Sequence, residues 1–160
     1  MSHSCVEIYI HAIFSTKNRM ALIPQNLEER LYGYFSGIAK ERKVPILKAN
    51  GMADHIHLLL KLHATTDIST LLKELKSYSS TWMKKQGVID FAWQDGYGAF
   101  SCSITHVEAL IKYIENQKEH HKTHSFDEEL AKLNKLWGCQ FAPVGMNKGP
   151  NKANDAEVCD

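Results

Sequence analysis

Asp54-His55-Ile56-His57-Leu58-Leu59-Leu60 (DHIHLLL) sets two imidazoles two residues apart inside a hydrophobic run. Side chains alternate across a β-strand, so His55 and His57 share one face while Ile56, Leu58, Leu60 and Leu62 fill the other. Such a strand packs on one side and can bind on the other. Just upstream, Asn50-Gly51 is a hairpin-turn signal, which pairs this strand antiparallel with residues 44–49 (VPILKA), where Pro45 suits an edge or a strand start.

The same reasoning extends in both directions. Residues 6–15 (VEIYIHAIFS) alternate apolar and polar as a half-buried strand does. After Pro24, Leu27, Leu31, Tyr34, Phe35 and Ile38 recur at three- and four-residue steps, the stripe of an amphipathic helix reaching about Lys43. Thr65-Thr66-Asp67 offers a cap for a second helix through Ile68, Leu71, Leu72, Leu75, Tyr78 and Trp82, with Gly87 past its end. Residues 91–98 (FAWQDGYG) are turn-rich and aromatic, and 99–104 (AFSCSI) read as a strand. Thr105-His106-Val107-Glu108 has the form of a capping box opening a third helix through about Gln117 or beyond, and Ser125-Phe126-Asp127-Glu128 repeats it for a fourth ending near Trp137-Gly138.

Strand, helix, strand, strand, helix, strand is the split βαβ order of ferredoxin-like folds, so an α+β class is expected. In that topology both crossover helices cover one sheet face, and the first and third strands are central. The imidazoles then lie on the opposite face, where the third helix is the available cover. At 160 residues and 44% hydrophobic, one domain over 1–142 is expected, with a disordered tail over 143–160 where the apolar pattern stops. No run approaches the ~18 apolar residues of a membrane span. The amino terminus shows no signal-peptide pattern, so a cytoplasmic protein is expected. Cys5, Cys102, Cys139 and Cys159 lack CxxC spacing and read as reduced thiols. The net charge of +1 leaves any nucleic-acid surface local.

Two imidazoles at alternate strand positions have Cα atoms roughly 6.5 Å apart, from ~3.3 Å of rise per residue. Both could reach one metal ion at about 2.1 Å, although two ligands alone make a poor site. An isolated His-x-His is more often a pair of polar residues on a solvated strand face. A histidine-triad hydrolase is excluded because Leu59 takes the third histidine's place, and a structural zinc site has no cysteine pair to build on. Tyr113 and Gln117, four apart in Tyr113-Ile114-Glu115-Asn116-Gln117, share a helical face. Laid over the open sheet face, such a helix could offer Gln117 as an oxygen ligand and Tyr113 as a nucleophile; without further context the two read as a packing aromatic and a solvated amide.

Taken together, DHIHLLL, the stretch from Trp93 to Ser101 (WQDGYGAFS) and the stretch from Tyr113 to Lys122 (YIENQKEHHK) resemble, in this order, segments of the HUH-superfamily single-tyrosine transposases of small bacterial insertion sequences and of their repeat-associated relatives. The resemblance spans about Val6 to Trp137. It implies His55 and His57 as the metal pair, Gln117 as third ligand, Tyr113 as nucleophile, and Mg²⁺ or Mn²⁺ as cofactor. It also implies cleavage and rejoining of single-stranded DNA at hairpin-bearing ends through a 5′-phosphotyrosine, by a homodimer in which the tyrosine helix can complete the partner's site. Tyr97, between Gly96 and Gly98, is a rival nucleophile. His11 shares the open face as a neighbour of the pair. Lys73, Lys76, Lys84, Lys85, Lys112, Lys118, Lys122 and His121 are candidate DNA contacts, with His120 and His124 available for phosphates or proton transfer and Tyr97 and Trp93 for stacking on unpaired bases. A noncatalytic ferredoxin-like module binding single-stranded nucleic acid, and a domesticated relative processing chromosomal repeats, are the alternatives.

Overall fold

The computed structural model describes residues 3–138. The expected tail over 143–160, Cys139 and Cys159 lie outside the described residues; Cys5 and Cys102 are free thiols. Four strands, β1 (Ile8–Ser15), β2 (Ile46–Met52), β3 (His55–Leu62) and β4 (Gly98–Cys102), form one antiparallel sheet in the order β2-β3-β1-β4. β1 and β3 are the central pair, as the ferredoxin-like order requires.

Helices α1 (Glu28–Glu41) and α2 (Ile68–Lys85) cover one face. Beneath them Ala12 and Phe14 of β1 and Ile56, Leu58 and Leu60 of β3 meet Leu31, Phe35, Leu71, Leu72 and Leu75, all fully buried. Asp67 caps α2 by accepting from the Thr70 amide, and Gly87 past its end takes a φ of 100° that an L side chain resists. No helix among the described residues is long and apolar enough to cross a membrane.

The second face is closed by α3 (Val107–Glu115), α4 (Gln117–Thr123) and α5 (Phe126–Trp137). Ile13 and Phe100 of the sheet pack there against Phe126 and Leu130 of α5, a small second core. The third helix was expected as the cover; α5 shares that task.

Three local expectations are corrected. The hairpin turn falls at Ala53-Asp54, and Asn50 and Gly51 are strand residues opposite His57 and Ile56. Gly51 is required for close approach, since a Cβ there would run into the His55 carbonyl oxygen. The Asn50 side chain instead donates to the carbonyls of Ile114 (2.9 Å) and Glu115 (3.1 Å), pinning the carboxyl end of α3. The capping box at Thr105 does not form: Ser103 caps a 3₁₀ turn over Ile104–His106, and His106, preceding α3, makes no side-chain cap bond. Finally, the third helix is broken at Asn116, whose ψ of 14° separates α3 from α4. The Ser125 cap does form, accepting from the Glu128 amide at 3.2 Å.

Candidate active site

β3 fixes the imidazoles first. Its alternation puts His55 and His57 on the α3–α5 side, 1% and 0% exposed, with Leu59 following on the same face. Each ring is oriented by a partner at Nδ1: Asp54 Oδ1 at 2.7 Å from His55, and His11 Nε2 at 2.8 Å from His57. Second partners of this kind set the tautomer of a ligating histidine and leave Nε2 with its lone pair free. His11 is buried against this pair, and burial with the nearby His57 pushes its pKa down to about 3, so it stays a neutral acceptor. Burial likewise lowers His55 to about 4, against the opposing pull of the Asp54 contact.

α3 and α4 bring Tyr113 and Gln117 over the same spot. The Tyr113 ring stands edge-on to His57, centroids 6.1 Å apart, and its hydroxyl donates a short hydrogen bond to Glu129 Oε2. Gln117, fully buried, donates from Nε2 to that oxygen at 3.2 Å, and its Oε1 lies 2.9 Å from His121 Nε2. The four residues singled out in the sequence therefore converge within one chain, and Tyr113 needs no second copy to reach the histidines.

Two residues that the sequence reading did not place here join them. Glu129 of α5, 3% exposed, brings Oε1 to 2.7 Å from His57 Nε2 and 3.9 Å from His55 Nε2. His121, expected as a DNA contact, turns inward, because positions 113, 117 and 121 rise in steps of four along nearly one face. His55, His57, His121 and Glu129 each offer a donor atom, all within 4.8 Å of one another.

Three of these atoms, His55 Nε2, His57 Nε2 and Glu129 Oε1, are buried without a hydrogen-bond partner among the described residues. The 2.7 Å approach of His57 Nε2 to Glu129 Oε1 thus lacks hydrogen-bond geometry. Burial of unpaired polar atoms is costly, and a cluster of them aimed at one point is what a divalent cation would satisfy. Nitrogen and carboxylate donors suit Mn²⁺ and tolerate Mg²⁺.

Charge in the site is settled by these contacts. Burial opposes ionisation of Glu129, but the polar contacts of His121, His57 and Tyr113 outweigh it and hold the carboxyl below the usual carboxylate range. Burial, then the Glu129 charge and its hydrogen bond, raise Tyr113 well above the usual phenol value, so in this state the hydroxyl keeps its proton.

A sequence model of one family, described as "Transposase IS200 like", matches residues 4–117. The chain belongs to the IS200-like transposase family. Two solved structures resemble this transposase. A candidate transposase from Deinococcus radiodurans R1 is 26% identical, with a TM-score of 0.57 over 73% of this chain and 95% of that one. A REP-associated tyrosine transposase bound to a REP hairpin shares the fold at 14% identity, with a TM-score of 0.57 over 99% and 98% of the two chains. No curated protein matches in sequence.

The other candidates spread across the transposase surface. Tyr97 is on the α1–α2 side of the sheet, where with Lys73, Lys76 and Trp93 it lines a cleft of about 420 Å³, away from the histidines. Lys76 Nζ is engaged there by the carbonyls of Gln94 (2.6 Å) and Gly96 (2.8 Å). Lys118 is tied to Glu28 at 3.0 Å and to the Gly51 carbonyl, and Lys122 pairs with Glu119 at 2.8 Å. Lys73, Lys84, Lys85 and Lys112 are exposed. His120 Nε2 lies 3.3 Å from Glu129 Oε2, and its ring stacks on His124 at 4.8 Å.

Proposed function

We propose that this IS200-like transposase cleaves and rejoins single-stranded DNA at hairpin-bearing ends, with Tyr113 as nucleophile and a divalent cation, Mg²⁺ or Mn²⁺, held by His55, His57 and Gln117. The convergence of the Tyr113 hydroxyl with the unpartnered Nε2 atoms of both histidines is the observation that carries this reading. The bound cation supplies charge neutralisation at the nonbridging phosphate oxygens.

The remaining work falls to side chains. Tyr113 Oη attacks phosphorus in line; the Tyr–O–P bond forms as the P–O3′ bond breaks, leaving a 5′-phosphotyrosyl link and a 3′-hydroxyl. Glu129 Oε2 orients the phenol by accepting its hydrogen bond but, held below the usual carboxylate range, is too weak a base to keep the proton; His120 Nε2, 3.3 Å from that oxygen, is the base that takes it, and the departing O3′ is protonated from water. Asp54 and His11 keep the imidazoles aimed, and Asn50 holds the end of α3 so that Tyr113 meets the phosphate at a fixed angle. Because the phosphotyrosine keeps a reactive diester, a 3′-hydroxyl from another end reverses the step and joins new strands.

Hairpin DNA is proposed from the ligand of the REP-associated relative, with the exposed Lys73, Lys84, Lys85 and Lys112 as backbone contacts. A homodimer is proposed as well, supported by exposed Ile104 and Leu136 near β4, an edge strand among the described residues; sedimentation of the purified protein tests it. The main test incubates the protein with single-stranded hairpin DNA and Mg²⁺ or Mn²⁺ and looks for a covalent adduct on a denaturing gel. The adduct is expected to vanish in Tyr113→Phe and persist in Tyr97→Phe. Binding with no adduct on any hairpin end would turn the reading toward a noncatalytic module.

A further inference from the structure

The cation site as proposed has only neutral donors, yet among the described residues a buried carboxylate, Glu129 of α5, stands beside it. We propose that Glu129 is itself a ligand of the divalent cation, through Oε1, so that α5 is part of the metal centre; this rests on the metal-dependent reading above. The family match ends at residue 117, so this carboxylate lies outside the shared segment.

Three tethers fix Glu129 in place. Phe126, one turn earlier, lies flat on the His55 ring, centroids 3.9 Å apart and planes 7° from parallel. Arg19 reaches across to Asp127 at 2.6 Å, with its guanidinium over the Phe126 ring at 5.0 Å. Leu130 is fully buried in the second core. A helix docked by its neighbours on both sides of one carboxylate presents that carboxylate at a defined point.

The spacing of Glu129 from His57 is close to that of adjacent ligands, and that from His55 is longer. Ligands at about 2.1 Å from one octahedral cation and adjacent to each other stand ~3 Å apart. Glu129 Oε1 is 2.7 Å from one histidine nitrogen and 3.9 Å from the other, and none of the three atoms has a hydrogen-bond partner among the described residues. Two imidazoles and a carboxylate with open positions form a familiar donor set for Mn²⁺ and Fe²⁺, and the carboxylate also suits Mg²⁺. Gln117 then both neighbours the cation and steadies Glu129 through the 3.2 Å bond to Oε2. Since that same oxygen accepts the Tyr113 hydroxyl, one side chain links nucleophile and cation.

Mn²⁺ titration of the full-length, metal-stripped protein, followed by calorimetry and by the electron paramagnetic resonance of free Mn²⁺, tests this. Glu129→Gln keeps the shape and removes the charge; it is expected to weaken Mn²⁺ at least ~10-fold, the lower end of what disturbing a metal site's partners costs. His57→Ala serves as the reference. If His57→Ala loses Mn²⁺ while Glu129→Gln binds as wild type, the inference is overturned and the histidine centre stands. If neither variant changes binding, the metal centre itself is wrong. Unchanged Mn²⁺ binding with faster cleavage in Glu129→Gln would mean that the carboxylate occupies the place of the substrate phosphate, which also overturns the proposal. Should Glu129→Gln fail to fold, the infrared difference spectrum of the wild-type protein with and without one equivalent of Mn²⁺ decides: shifted carboxylate stretches support ligation, and their absence refutes it.

Discussion

Replacing His11 by alanine probes the site through a buried residue that touches His57 from behind. His11 Nε2 lies 2.8 Å from His57 Nδ1, both rings being buried. For His57 to point a lone pair from Nε2, its proton must sit on Nδ1, and His11 is the acceptor for it. The substitution leaves that N–H buried and unpaired, which costs about 1–3 kcal/mol of folding stability. It also frees the His57 ring to rotate or change tautomer. Loss of such a supporting partner lowers metal affinity ~10–100-fold, about 1.4–2.7 kcal/mol. Calorimetric Mn²⁺ titration and urea unfolding of His11→Ala should show both effects, and His11→Gln, whose amide oxygen can accept the same hydrogen bond, should recover part of each. A His11→Ala variant with wild-type Mn²⁺ affinity would refute the claim that this hydrogen bond sets the ligating tautomer.

Three further outcomes are expected. His11 and His55 have folded-state pKa values of about 3 and about 4, below the ordinary 6.5, so their neutral forms stabilise the fold above pH 6.5 and that contribution is lost as pH falls toward 4. At about 1.4 kcal/mol per group per pH unit, metal-free protein should lose roughly 2–3 kcal/mol between pH 7.5 and 5.5 in urea titrations, and a flat profile would contradict buried neutral imidazoles. Asn50→Ala removes two hydrogen bonds to the end of α3; single-turnover cleavage should slow by about 10-fold with a smaller loss of Mn²⁺ affinity, since Tyr113 and Gln117 lose positioning while the histidines on β3 do not. Gly51→Ala drives a methyl group toward the His55 carbonyl, and its chemical unfolding should show a loss of about 1–3 kcal/mol or more, together with weaker Mn²⁺ binding as β3 shifts.

The sheet and the histidine pair were legible because both rest on period-two alternation, which burial enforces residue by residue. β3 reads correctly from Ile56, Leu58 and Leu60 alone, and the central place of β1 and β3 follows from element order. Turn and cap signals were weaker guides: Asn50-Gly51 has hairpin chemistry, yet strand pairing continues past it because Gly51 meets a tight approach and Asn50 a useful partner. Glu129 was missed for a different reason. Asp127-Glu128-Glu129 looks like the acidic first turn that any helix tolerates. The signal was its phase, since Phe126, Leu130 and Leu133 stand at i, i+4 and i+7 and Glu129 at i+3 falls within their apolar stripe. His121 carried a similar mark in its four-residue spacing from Gln117.

β3 gives Ile56, Leu58 and Leu60 to the oily interior beneath the helices and His55 and His57 to the chemistry on the opposite face. Deleting or inserting one residue between Asp54 and Leu60 would invert that assignment at a stroke, burying imidazoles under the helices and turning leucines toward the tyrosine. Length changes along this strand are therefore survivable only in pairs, and drift in its sequence is confined to swaps that respect parity.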